Sequence, residues 1–208
     1  MLLAIPSLLG SLLHDVGMFC ISQSILTTKD LAKSKQRCIL AHPIHGYKVI
    51  FKELRYHNRI GLIVLQHHEY WNGTGYPQGL SGTAIILESR IVALDNAFAA
   101  MTSSPAYRPP MTGYQAMNQL IGTMSTQFNP KILKAFVSFM GIYPRGSLVR
   151  LNTGAIVRVI DQTQLPLKPR ICILTYPSGE GCTEEEDRNL REESCLFITG
   201  EAEEKDMV

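Results

Sequence analysis

The sequence predicts a mainly α protein, a helical bundle with a small β appendage at its C-terminal end. Three observations predict it. From residue 1 to about 142, apolar residues recur with a helical period broken by short polar turns. From 147 to 175 the pattern becomes a two-residue alternation rich in Val, Ile and Leu. A 208-residue chain that is 45% hydrophobic and 18% charged can build one full core plus a small addition, which excludes a disordered chain.

The first helix is expected over about 2 to 15. Its opening, MLLAIPSLLGSLL, is apolar for only 13 residues, contains Pro6, and has neither the basic leader nor the small-residue cleavage site of a signal peptide. It is too short for a membrane span and reads as the end of a core helix. A core helix starting at residue 2 without a cap points to further sequence upstream. Helices are then expected over 30 to 53, 55 to 71, 86 to 103, 113 to 124 and 129 to 140, the last with Asn129 as cap and Pro130 in its first turn. GIYPRGS at 141 to 147 marks a boundary, and LVRL, AIVRVI, RICILTY and CLFI read as strands. The organisation is therefore a helical domain over 1–142, a β subdomain over 143–182, and a mobile acidic segment over 183–208 with a short strand near 195–198.

The net charge of +2 conceals an asymmetry. Residues 183 to 208 hold ten of the 18 acids against three bases, so the remainder carries 17 bases and 8 acids. Such an excess concentrates anionic ligands such as phosphates, although an ordinary solvated basic face would look the same. The five cysteines stand singly at 20, 38, 172, 182 and 195, with neither the close pairs of a zinc site nor a disulfide framework. That pattern suits a reducing, cytoplasmic setting.

One loop, NGTGYPQGLSGTA at 72 to 84, holds four glycines and a proline. Loops of that length within a compact helical domain are usually functional. It follows directly on a pair of histidines, and the histidines carry the chemistry. His14 stands beside Asp15, His42 before Pro43, and His67 and His68 before Glu69. Asp15 to His42 is 27 positions, His42 to His67 is 25, and His68 to Asp95 is 27, each about one helix and one turn. Ligands supplied once per helix converge in the core of a bundle. Imidazole and carboxylate together suit Fe, Mn or Zn.

Adjacent helical positions diverge by about 100°, so His67 and His68 would serve two neighbouring metals, which together would clamp a phosphodiester and acidify a shared water. A single histidine on an apolar helix is more often a hydrogen-bonded core residue than a ligand; the regular set shifts the balance toward metal. His45 and His57 fall outside it and read as surface residues. Glu69 reads either as a partner orienting a histidine or as a helix-end acid.

These motifs resemble the HD-GYP family, a branch of the HD phosphohydrolase superfamily. HDVG at 14–17, HPIHG at 42–46, HHEYWNGTGYP at 67–77 and SRIVALDNAFAAMTSSPAYRPPM at 89–111 carry the likeness, and FNPKILKAF and GIYPRGSLVRLNTGAIVRVI extend it to about residue 175. The resemblance implies an HD-type helical bundle that holds two or three divalent metals, usually iron or manganese, and hydrolyses cyclic di-GMP. It places metal ligands at His14, Asp15, His42, His67, His68 and Asp95 or Asn96, with Asp15, His67 and His68 at the reaction itself. Tyr76 and Pro77 of the GYP signature, with Arg108, fall on substrate-binding positions. The implied partners are a cyclic dinucleotide, other signalling proteins and an upstream sensor or receiver domain, with no nucleic acid polymer and no membrane span in this chain.

The sequence departs from the family pattern in several places. The family's early glutamate and histidine ligands have no counterpart in the 13 residues before the HD pair. Met18 replaces a lysine, Asn72 an aspartate, Asn96 the later metal aspartate with Asp95 one place earlier, Ala99 a second aspartate, and Pro105 an arginine. Three functions follow: a metal-dependent hydrolase of cyclic di-GMP, a degenerate module of the same fold that binds a partner or nucleotide without turnover, and a hydrolase of another phosphate ester.

Overall fold

The computed structural model describes residues 4–22, 33–103, 110–176, 178 and 180–207. Seven α-helices are found among them: α1 (Ala4–Leu13), α2 (Lys33–Leu40), α3 (His42–Lys48), α4 (Asn58–Gln66), α5 (Leu87–Thr102), α6 (Gly113–Ile121) and α7 (Pro130–Met140). Five strands follow: β1 (Leu148–Leu151), β2 (Ile156–Asp161), β3 (Arg170–Thr175), β4 (Gly181–Asn189) and β5 (Ile198–Glu201). The protein is thus mainly α with its β part at the C-terminal end. Two compact units divide the chain, one of residues 1–97 and 126–132, the other of 98–125 and 133–208.

In the first unit, α1 tolerates Pro6 because the first turn of a helix lacks intrahelical acceptors for its N–H groups. Gly10 is buried against α4, where a β-carbon would run into the side chain of Ile63. Ile50, Ile60 and Val64 form a buried cluster with Leu9, Leu13 and Val16 packed on it. After His14 and Asp15 the chain tightens into a 3₁₀ turn, Val16–Cys20. Gly17 of that turn has no room for a side chain, since a β-carbon would overlap the His42 carbonyl oxygen and lie 2.6 Å from the Gly46 amide nitrogen. This glycine contact lays the HDVG turn on the HPIHG helix.

The single helix expected over 30 to 53 is divided in its described part. It breaks at Ala41, and α3 restarts with His42 at its first position and Pro43 at its second, where a missing N–H costs nothing. The chain then loosens into a π-turn, Val49–Glu53. His57, one of the two histidines outside the pattern, is exposed and caps α4, its Nδ1 accepting from the Arg59 N–H at 3.2 Å. Helix α4 ends at Gln66, so His67 and His68 lie in the turn beyond it.

In the second unit, Thr112 and Gln115 form a reciprocal capping box at the start of α6. The sheet is antiparallel throughout, in the order β4-β3-β2-β1-β5, with Val157 opposite Ile173 and Val149 opposite Glu201. One face is buried through Val149, Leu151, Val157, Val159, Ile171, Ile173 and Leu190, which with Tyr143 make a continuous core. The strand expected near 195–198 starts only at Ile198. Unlike a mobile tail, the acidic segment supplies the edge strand β4, paired from Ile171 with Arg188 to Ile173 with Glu186.

Candidate metal centre

Three histidines reach the site in the same way. The Nδ1 of His14 lies 2.6 Å from the carbonyl of Ser11, that of His42 2.7 Å from Ile39, and that of His67 2.8 Å from Val64, always three residues back. A carbonyl only accepts, so each Nδ1 carries a proton, and in the neutral ring the Nε2 presents a lone pair. These Nε2 atoms converge. His42 and His67 stand 3.1 Å apart through Nε2, and Asp15 Oδ1 lies 3.2 Å from the first and 3.4 Å from the second. His14 Nε2 is 3.3 Å from Asp15 Oδ2.

The fourth member is His68, whose ring centroid is 4.2 Å from that of His67 and 5.1 Å from that of His42. One ligand atom from each of Asp15, His42, His67 and His68 falls within 4.8 Å of the others. His67 and His68 both lie beyond the helix end, and each gives one ligand atom to the same cluster.

Electrostatics reinforce the geometry. The close approach of His14, then of His42 and His67, holds the Asp15 carboxyl far below the usual carboxylate range. His14 is raised, chiefly by Asp15 against the effect of burial, with Asp95 adding a smaller pull. Burial lowers His67, and burial with the neighbouring histidines pushes His68 down to about 3. With His67 and His68 lowered and Asp15 held ionised, the centre offers imidazole lone pairs beside a carboxylate. Two facing Nε2 lone pairs 3.1 Å apart repel each other, and a shared cation turns that repulsion into ligation. The donor set therefore fits a divalent metal.

The other sequence candidates fall around this cluster in different ways. Asp95 is exposed on α5, near enough for its charge to act on His14, and Asn96 is half-buried beside it; neither belongs to the four-residue cluster. Tyr76 stacks on His68, with centroids 4.6 Å apart and planes 19° from parallel, and burial raises its phenol. Pro77 follows it through a cis peptide bond. Arg108 lies outside the described residues. Asn72 shapes the loop, its Oδ1 accepting from the Thr74 N–H at 3.1 Å and from the Thr74 hydroxyl at 2.7 Å.

Two buried polar residues hold the loop in a way its sequence does not show. Glu69 is buried and neither orients a histidine directly nor caps a helix; its oxygens accept from the backbone N–H groups of Gln78 and Leu80. Gln66, also buried, accepts from the Ile86 N–H at the far end of the loop. The available signal was the pair of polar residues flanking HH in an otherwise apolar run.

The chain resembles known proteins over most of its length. The HD domain family matches residues 7–132, and a family described as a KOW domain associated with HD domain matches 148–208. A cyclic di-GMP phosphodiesterase of Pseudomonas aeruginosa is 32% identical over 155 residues, 74% of this chain and 37% of that protein. The cyclic di-GMP phosphodiesterase response regulator RpfG of Xanthomonas campestris pv. campestris is 35% identical over 60% of this chain and 34% of its own length. A 3'3'-cGAMP-specific phosphodiesterase of Vibrio cholerae is 31% identical over 60% of this chain and 24% of its own length. The chain spans well under half the length of these relatives.

Proposed function

Because this chain belongs to the HD domain family, we propose that it is a metal-dependent phosphohydrolase of HD-GYP type, and that it hydrolyses a cyclic dinucleotide, cyclic di-GMP before others. The observation that carries the reading is the convergence of the His42 and His67 Nε2 atoms on Asp15, with His68 alongside. His14, Asp15, His42, His67 and His68 would hold the metal, with Asp95 or Asn96 approaching from α5. Two or three ions, iron or manganese before zinc, suit this mixed imidazole and carboxylate set. When bound, they supply the Lewis acidity that neutralises a phosphodiester and acidifies water.

The residues of the chain do the remaining work. The carbonyls of Ser11, Ile39 and Val64 keep the imidazole protons on Nδ1, so the Nε2 atoms stay available without reorganisation. Asp15 stays ionised across the physiological range and balances added positive charge. The raised Tyr76 phenol remains protonated, so beside His68 it is a donor for a phosphate oxygen. Cyclic di-GMP and 3'3'-cGAMP share the cyclic phosphodiester core, and the relatives divide between them.

The test is metal analysis of the protein, followed by incubation with each dinucleotide after anaerobic loading with Fe²⁺ or Mn²⁺. Linear or mononucleotide product from the wild type, absent from His67→Ala, is the expected result. Product formed equally by both would end the reading. Metal uptake without product would favour a domain that binds without turnover.

A further inference from the structure

One buried carboxylate ties the Gly-rich loop to the metal cluster. Glu69 is 1% exposed, and its Oε1 accepts from the Gln78 N–H at 2.6 Å while Oε2 accepts from the Leu80 N–H at 2.9 Å. Both donors lie just past the Tyr76–Pro77 peptide, so the carboxylate folds the loop back onto the residue next to His68. Two further contacts close the same path. The Tyr76 N–H donates to the His68 carbonyl at 3.1 Å. A β-carbon on Gly75 would overlap that carbonyl and lie 2.6 Å from the Glu69 Cα, so only glycine passes there. The end of the path is the Tyr76 ring stacked on the His68 imidazole.

We infer that Glu69 is a positioning residue for the centre, a role that rests on the metal reading above: by gripping Gln78 and Leu80 it seats Tyr76 on His68 and so fixes where the His68 nitrogen faces. It acts through the loop and touches no ligand of the site. The residue type follows from the task. Two converging N–H donors need two acceptors and no donor, which only a carboxylate provides in one side chain. Charge-assisted bonds of this kind are about twice as strong as neutral ones. A glutamine keeps one acceptor but turns an NH₂ group toward the second N–H, leaving a buried donor unsatisfied. An aspartate is one methylene too short to span both.

The sequence contains one tryptophan, and it is placed to report the loop. The Trp71 N–H donates to the Gln127 carbonyl at 2.8 Å, and the Arg90 guanidinium lies 5.5 Å from its ring centre. Acrylamide quenching of Trp71 emission and Mn²⁺ affinity, measured on the full chain, give two readouts that need no turnover. In Glu69→Gln, quenching is expected to rise and Mn²⁺ affinity to fall about tenfold or more, with far-UV circular dichroism unchanged. In Glu69→Gln/Tyr76→Ala, Mn²⁺ affinity is expected to be no weaker than in Tyr76→Ala alone, because both changes break one path.

Wild-type quenching and Mn²⁺ affinity in Glu69→Gln would overturn the inference, as would fully additive losses in the double variant. If the wild-type chain takes up no Mn²⁺, the metal reading fails by itself. Quenching then decides whether Glu69 seats the loop: a rise in Glu69→Gln supports it, and no change rejects it. Should Glu69→Ala fail to fold, the isosteric Glu69→Gln carries the comparison.

Discussion

The Nε2 atoms of His42 and His67 face each other at 3.1 Å, each ring anchored by its Nδ1 to a carbonyl three residues earlier. Their proximity leaves little space for independent roles. Replacing either by alanine is therefore expected to weaken Mn²⁺ or Fe²⁺ binding by more than about 100-fold, beyond the usual effect of losing an outer partner. Asp15→Asn keeps the shape and removes the charge, and should fall between wild type and those variants. Titration calorimetry on metal-free protein is the measurement.

Gly17 packs where no side chain fits, against the His42 carbonyl and the Gly46 amide. In Gly17→Ala the added methyl must push the HDVG turn off α3, at a cost of about 1–3 kcal/mol for overpacking. Asp15 lies two residues before it and would move with the turn. A lower thermal midpoint together with weakened metal binding is expected; a loss of stability with unchanged metal affinity would show that the contact serves the core alone.

His68 is held at about 3 by burial and by its histidine neighbours. In the metal-free chain its folded value lies below its unfolded one, so its contribution is present above the unfolded pKa near 6.5. It decays as pH falls from there toward 3, by at most about 1.4 kcal/mol per pH unit. His14 is shifted upward and works in the opposite sense. Urea unfolding of wild type and His68→Leu between pH 7 and 4 isolates the difference, with the variant losing less stability over that interval.

Leu190 is fully buried just past the end of β4, where its N–H donates to the Pro169 carbonyl. Leu190→Ala should cost about 2–5 kcal/mol through the cavity it leaves. Faster amide exchange along β4 would accompany it. A change near zero would mean that the acidic segment adds nothing to the sheet core.

The metal cluster was legible because its spacing survives translation into helices: His14 and Asp15 leave α1, His42 starts α3, and His67 and His68 leave α4. Even gaps along the chain bring helix ends together, which is what convergence needs. The arrangement within the cluster was less legible. Spacing says nothing of where a helix stops: α4 ends at Gln66, and His67 and His68 fall in the turn beyond it. Glu69 was read by what a carboxylate does near a histidine, whereas its partners come from Gln78 and Leu80, nine and eleven positions on. The strand in the acidic segment was hidden by its charges. The register pairs Ile171 with Arg188 and Ile173 with Glu186, and ion pairs such as Arg170 with Asp187 and Arg188 with Glu186 answer the acids locally.

Among the described residues that sheet is open, with β4 and β5 at its two borders. One border is β5, only four residues long; the other is β4, where Glu186 and Asp187 stand within a run of acids. Brevity on one side and charge on the other are two of the means by which an exposed strand refuses a second molecule. Neutralising the acids of β4 would leave the fold's core untouched and turn its border into a template for self-association.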